Sequence, residues 1–205
     1  MTVLIEVERK DAHKEKQTGR ICLRLFDMGF EAHPAKQKQF YLVSEDPKIT
    51  ERVRKEVTAL GVTYSHTRKV KCEEAANTNQ EAEHVIDKDT FKQLKATRQL
   101  TAFGVRVIVK KKRVHFEGVY QGYKVTVCLD RAWGPMGIWL GQFVEFETMV
   151  KTKAEIAAAE AVLAELSTEI MPAGCKREWR GYKTLALAAI GKFSRRLRRK
   201  TEGKE

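Results

Sequence analysis

The sequence predicts an α+β fold, an antiparallel β-barrel or strongly curved sheet with helices packed outside it. Three observations carry this. Short strand candidates follow one another between turn residues such as Pro47, Gly61 and Asn77; only a few segments have helical period; and the strand candidates carry charges on one face and apolar residues on the other. At 205 residues the chain is long enough for one sizeable core, expected as a single domain over residues 1–190 followed by a basic tail, 191–205.

The elements follow in order. "IEVERK" (5–10) opens as a strand whose Glu6, Glu8 and Lys10 share one face while Val3, Ile5 and Val7 share the other. "HKEKQTGRICLRLFDMGF" places Ile21, Cys22, Leu25, Phe26 and Met28 near helical spacing and stops at Gly29. Strands are then expected over 38–43, 49–57, 62–72 and 81–86, and a helix from Asp89 to Ala102, punctuated by Gly104. "VRVIVKKKRVHFEG" and "GYKVTVCLD" read as two strands joined across Gly118 to Gly122, and "GQFVEFETMV" (141–150) as another. "KAEIAAAEAVLAELSTEIM" is an amphipathic helix by composition and period, and a last short helix is expected over Tyr182 to Ile190.

Composition excludes several classes. With 42% hydrophobic and 32% charged residues and only four prolines, the chain is a globular protein rather than a low-complexity one. The longest apolar run, near 185–190, is too short to span a bilayer, and the N-terminus is charged where a signal peptide needs an apolar core, so a cytoplasmic protein with no membrane contact is expected. Cys22, Cys72, Cys128 and Cys175 are far apart, with neither zinc-module nor redox spacing. The formal charge of +12 is concentrated at the end, where "KFSRRLRRKTEGKE" sets Lys192, Arg195, Arg196, Arg198, Arg199, Lys200 and Lys204 against Glu202 and Glu205. Without interleaved aromatics this tail is expected as a solvated end, with non-specific polyanion or nucleic-acid contact as the minority reading.

The strand faces carry the chemistry. Glu145 and Glu147 share a face, Arg52 and Arg54 share another, Lys124 and Asp130 point away from Val125, Val127 and Leu129, and Glu81 and Glu83 repeat the alternation. Like charges two apart on one face repel, so a sequence selected for stability alone tends to mix signs there. Carboxylates gathered on some strands and cations on others suit a site in which the first hold a divalent metal and the second hold polyphosphate oxygens. The charged face then lines an interior, and the apolar face packs outward on the helices.

These residues resemble the CYTH, or triphosphate tunnel metalloenzyme, family over roughly the first 150 positions. The resemblance rests on Glu6-x-Glu8-x-Lys10 at the start, the Arg52-x-Arg54 and Lys111-x-Arg113 pairs, and Asp130 followed by Leu140, Gly141, Phe143, Glu145 and Glu147. It implies an eight-stranded antiparallel barrel open as a tunnel, binding a triphosphate with Mg2+ or Mn2+. It makes Glu6, Glu8, Asp130, Glu145 and Glu147 metal-side carboxylates, with Glu81 and Glu83 as additions. Lys10, Arg52, Arg54, Lys111 and Arg113 become the phosphate clamp. Lys71 becomes the lysine that orients or activates water, with Lys69 on the same face as the fallback, and Tyr41 its partner. Trp133 and Trp139, in "RAWGPMGIW", either stack a base at a tunnel mouth or pack a loop.

The function expected from this resemblance is metal-dependent hydrolysis of a triphosphate, inorganic or organic. The alternative is a class IV-type adenylyl cyclase making cyclic AMP and pyrophosphate. A third reading is a polyphosphate or nucleic-acid binding module without catalysis.

Overall fold

The structure is a computed structural model that describes residues 4–72 and 78–202, with side chains as far as residue 196. The elements are β1 (Ile5–Ala12), α1 (Thr18–Asp27), β2 (Glu31–Tyr41), β3 (Ile49–Thr58), β4 (Gly61–Lys71), β5 (Thr78–Val85) and α2 (Lys88–Arg98). They continue with β6 (Thr101–Ala102), β7 (Val105–Arg106), β8 (Ile108–Tyr120), β9 (Tyr123–Trp133), β10 (Trp139–Val150), α3 (Ile156–Ile170), β11 (Lys176–Arg177) and α4 (Tyr182–Glu202). Pairing runs in the order β10-β9-β8-β2-β3-β4-β5-β1, and β1 pairs back onto β10, so eight antiparallel strands close into a barrel. Closure leaves these strands without free edges. The small β11 adds to β1, and β6 and β7 form a separate hairpin.

Alternation decides what faces in. On β1, Ile5 and Val7 point outward into a core with Phe116, Val125, Val127, Leu129, Val144 and Phe146, which α1 covers with Ile21 and Leu25 and α3 with Ile156, Ala159, Leu163, Leu166 and Ile170. Each such fully buried large side chain contributes roughly 1.5–3 kcal/mol. α2 covers Phe40, Leu42 and Val53 through Phe91. The apolar wall of the barrel is therefore its outside, and the charged faces are left to line the inside.

α4 closes one end of that inside. Tyr182, Leu185, Ala186 and Ile190 pack on Tyr41, Val107, Val109, Ala132 and Phe143. The helix does not stop at Ile190 but continues to Glu202, so the first part of the basic tail is helical. Arg195 and Arg196 are exposed, as a solvated end requires, while the side chains of Arg198, Arg199, Lys200 and Lys204 lie outside the described residues. No helix among the described residues is long and apolar enough to cross a membrane.

The other departures from expectation have local causes. β2 begins at Glu31, seven residues before the predicted start, because its inward Gln37 and Gln39 are buried without being apolar and its outward Lys36 is solvated. α2 ends at Arg98, and the stretch expected to complete it turns into the β6–β7 hairpin, with Phe103 and Gly104 at positive φ. Gly118 lies within β8 rather than in the turn; a Cβ there would meet the Phe30 ring at 2.8 Å. The turn is Gln121–Gly122, both at positive φ, as the tight hairpin between Tyr120 and Tyr123 requires. The connection over 73–77, expected to be long and polar, lies outside the described residues.

Candidate active site

The barrel encloses a cavity of about 1100 Å³ whose walls are the charged strand faces. Glu6, Glu8 and Lys10 reach it from β1, Arg52 and Arg54 from β3, Lys69 and Lys71 from β4, Glu81 and Glu83 from β5, Lys111 and Arg113 from β8, and Glu145 and Glu147 from β10; Tyr41 joins them from β2. Register fixes the neighbours. Glu8 faces Glu147 and Lys10 faces Glu145 across β1–β10, while Lys69 faces Glu81 across β4–β5.

Two networks hold the walls. In the first, Lys69 bonds the Glu6 carboxylate and lies 3.0 Å from Glu81 and 4.0 Å from Glu8. Arg52 lies 3.8 Å from Glu81, and Arg54 bonds Glu83, which also accepts from the Thr67 hydroxyl at 2.8 Å. In the second, Lys10 lies 3.4 Å from Glu145 and 3.8 Å from Glu8, Lys111 lies 3.4 Å from Glu145, and Arg113 bonds Glu145 directly.

Asp130 stands apart from the other carboxylates. It is 1% exposed, is not among the residues lining the cavity, and accepts from Lys111 at 2.9 Å, Arg113 Nε at 2.7 Å and the Tyr182 hydroxyl at 2.6 Å. Its place is behind the clamp, where it positions Lys111 and Arg113. Tyr182 adds its ring face to Lys111, whose ammonium lies 3.6 Å from the centroid, and to Lys10 at 4.6 Å.

The electrostatics separate the acids. Burial raises the Glu6 carboxyl well above its usual range against the pull of Lys69, with Glu81, Glu8 and Glu147 adding to the rise. Burial and then Glu145 push Glu8 up to about 7. Glu81 is lowered to about 2, because Lys69 and Arg52 overcome its burial, and Glu145 is held well below the carboxylate range by Lys111, Lys10 and Arg113 in the same way. Among the bases, Lys69 is buried yet held above the lysine range by Glu6, Glu81 and Glu8, whereas burial and then Arg113 lower Lys111. Lys69 is thus a fixed cation and a poor base.

The residues fit a hard divalent cation. Glu6, Glu8 and Glu147 are oxygen donors on adjacent strands, two of them opposed in register and two of them with raised affinity for positive charge. Among the described residues no three carboxyl, imidazole or thiol side chains already converge on one point. Instead Lys69 pairs with Glu6, Lys10 lies 3.8 Å from Glu8 and Arg113 lies 4.0 Å from Glu147.

The proposed catalytic pair is not adjacent. Tyr41 is level with Arg52, which is level with Thr67, two inward positions along β4 from Lys71. At roughly 3.4 Å per residue that is about 14 Å along the strand. Tyr41 is buried and raised in pKa by that burial, and its hydroxyl lies 3.4 Å from Gln39. Lys71 is exposed on the cavity wall and has no ion pair among the described residues.

Sequence reasoning missed the C-terminal contribution. Trp179, Arg180 and Gly181, from the segment between β11 and α4, and Tyr182, Lys183 and Thr184, from the first turn of α4, line the cavity. Trp179 is 63% exposed, with the Arg177 guanidinium 4.4 Å from its ring. The available signal was "REWRGY", an aromatic between two arginines before a glycine and outside any periodic segment. Trp133 and Trp139 do not line the cavity; they pack against each other, 5.2 Å between centroids, on the outer wall.

Fold and site define a class, closed antiparallel barrels whose interior sets carboxylates against basic side chains. The CYTH domain model matches residues 4–182, and the chain belongs to that family. Structural neighbours agree on the fold. A protein from Pyrococcus horikoshii OT3 is 24% identical, with 90% of this chain and 99% of that one covered, at a TM-score of 0.69. A proposed adenylate cyclase from Vibrio parahaemolyticus is 18% identical (88% and 97% covered, TM-score 0.62). A Hippeastrum protein, described as a proposed adenylyl cyclase with a dominant triphosphatase activity, is 11% identical (91% and 96% covered, TM-score 0.57). A search of curated proteins for sequence relatives finds no significant match.

Proposed function

We propose that the tunnel hydrolyses a triphosphate in the presence of Mg2+ or Mn2+. The observation that carries this is the pairing of clamp cations with carboxylates: Lys10, Lys69, Arg52, Arg54, Lys111 and Arg113 are each within 4 Å of a Glu or Asp oxygen. A triphosphate offers those cations oxygens of the same kind in exchange. Glu6, Glu8 and Glu147 are the residues that would hold the metal, with Glu145 beside them. When bound, the metal neutralises charge on the phosphate oxygens and helps align the chain for in-line attack.

The protein's own groups do the rest. Arg52 and Arg54 hold one end of the triphosphate, and Lys10, Lys111 and Arg113 the other, in a water-poor interior where such contacts are strong. Asp130 keeps Lys111 and Arg113 in place. Lys71, unpaired among the described residues, is the lysine available to orient the attacking water. The basic end of α4, beyond the packed turns, is proposed as a polyanion contact that the reaction does not need.

Cyclase chemistry is the second reading, because Trp179 at the cavity offers an aromatic face to a nucleobase. Tripolyphosphate, thiamine triphosphate, ATP and GTP, each with Mg2+ and Mn2+, should be scored for phosphate, pyrophosphate and cyclic nucleotide. Orthophosphate from tripolyphosphate supports hydrolysis. Cyclic AMP with inert tripolyphosphate overturns it.

A further inference from the structure

The outside of the barrel carries a second basic surface that the tunnel does not explain. On the solvent face of β2, Lys38 stands directly between Lys55 of β3 and Lys110 of β8. One inward-outward repeat along, Lys36 faces Lys112 of β8, which faces Arg131 of β9. Like charges directly opposite one another weaken a sheet. Here they recur across four strands without a carboxylate in the rows, and none of these five lysines has an ion pair among the described residues; Arg131 alone reaches an acid, Glu15, at 3.1 Å. Crowding holds the Lys38 ammonium below the lysine range, first through partial burial and then through Lys110, Lys95 and Lys55.

Apolar features flank the rows on two sides. Trp133 is directly opposite Lys110, and its ring contacts Trp139, which is 48% exposed. On the other side a mostly apolar hollow of about 470 Å³, walled by Pro34, Val57, Val114 and Leu129, opens beside Lys36, Lys112 and Arg131. Cations spaced about 4.8 Å across strands and about 7 Å along them match a flexible phosphate backbone. Flanking aromatic and apolar surface suits unpaired bases, which a duplex hides and polyphosphate lacks.

We propose that the outer wall formed by β3, β2, β8 and β9 is a docking surface for single-stranded nucleic acid. It does not depend on the tunnel chemistry, because the five lysines of the rows, Arg131, Trp133 and Trp139 do not reach the cavity.

The test is fluorescence anisotropy of the full chain with a labelled oligouridylate of about 20 nucleotides, with a duplex and an inorganic polyphosphate of similar length as separate arms. Lys38→Ala/Lys110→Ala should weaken oligouridylate binding at least tenfold and reduce the salt slope by about 1.4, since each single-strand phosphate that a lysine neutralises adds about 0.7 to it. Its melting temperature should be unchanged or higher, since opposed charges are removed, and tripolyphosphate turnover should be unchanged. Trp139→Ala should weaken oligouridylate at least about fivefold, the lower end for removing one base stack, and leave polyphosphate binding unaltered. Truncation after Gly191 is the control for the basic end of α4. The proposal is overturned if truncation abolishes binding while the wall variants keep wild-type affinity and slope. It is equally overturned if duplex or polyphosphate binds as tightly and Trp139→Ala is silent.

Discussion

Glu8 of β1 and Glu147 of β10 face each other across the strand pair that closes the barrel. Glu8 holds a proton more readily than a free carboxylate, pushed up to about 7 by burial and then by Glu145. The sign follows directly. Between about 4.5, the ordinary glutamate value, and about 7 the folded state keeps a proton that the unfolded chain releases, so this group's contribution to stability falls as pH rises through that window. Glu81, Glu145 and Glu56 act oppositely, but below the ordinary range, where stability is lost as pH falls. Without divalent ions, thermal melting should therefore drop between pH 5 and 7.5. Mg2+ or Mn2+ at 100 times its dissociation constant should restore about 2.7 kcal/mol at pH 7.5. Glu8→Gln should flatten the pH response and most of the metal response, and Glu6→Gln or Glu147→Gln should abolish turnover while the protein still folds. An unaltered metal response in Glu8→Gln would remove Glu8 from the proposed metal site.

The two arginines most alike in sequence should behave differently. Arg54 pairs with Glu83 near the rim of the wall, whereas Arg113 is 5% exposed and holds both Asp130 and Glu145. Arg54→Ala should cost at least tenfold in triphosphate binding, since one charge-assisted contact is worth roughly 1.5–3 kcal/mol, with little change in melting. Arg113→Ala takes one charge-assisted partner from each of two buried carboxylates that keep Lys111, and should cost about 1.5–3 kcal/mol of stability besides. Denaturant titration beside calorimetry separates the two; equal stability losses would contradict the different placements.

The make-up of the interior was legible because barrel strands alternate strictly: Glu6-x-Glu8-x-Lys10, Arg52-x-Arg54 and Lys111-x-Arg113 needed only period two to share it. β2 was half hidden, because its inward Gln37 and Gln39 line a polar interior and its outward lysines face water, leaving no apolar period to read. Asp130 shows the same limit from the other side. Its strand position points inward like Glu6, Glu8, Glu145 and Glu147, but only the docking of α4 brings the Tyr182 hydroxyl to it, behind Lys111 and Arg113. Contacts of that sequence separation leave no local pattern.

Trp179 is the residue expected to separate inorganic from organic substrates. An exposed ring at the cavity, with the Arg177 guanidinium at its face, can stack a planar group but offers nothing to tripolyphosphate. Trp179→Ala should raise KM for a nucleoside triphosphate at least about fivefold, the lower end for removing one stacked base, and leave KM for tripolyphosphate unchanged. Equal effects on both substrates would mean that the ring shapes the mouth rather than reads a base.

On the proposed function the two lysines of β4 divide the work. Lys69 bonds Glu6 and sits 3.0 Å from Glu81, and these acids hold it charged, so it braces the two carboxylates and is expected to contact phosphate. Lys71, on the same face but exposed and without an ion pair among the described residues, is free to meet a water at the end of the triphosphate. Lys71→Ala should lower kcat by about a hundredfold or more, the usual scale for removing a proton-transfer or water-orienting group, while triphosphate affinity changes less than tenfold. Lys69→Ala should do the reverse, weakening binding and lowering melting because Glu6 and Glu81 lose their shared cation. ATP, where accepted, should give ADP and orthophosphate in the parent protein, and neither in Lys71→Ala. If Lys71→Ala retains full turnover while Lys69→Ala is inactive with affinity intact, the water is handled at Lys69 and the division of labour along β4 is reversed.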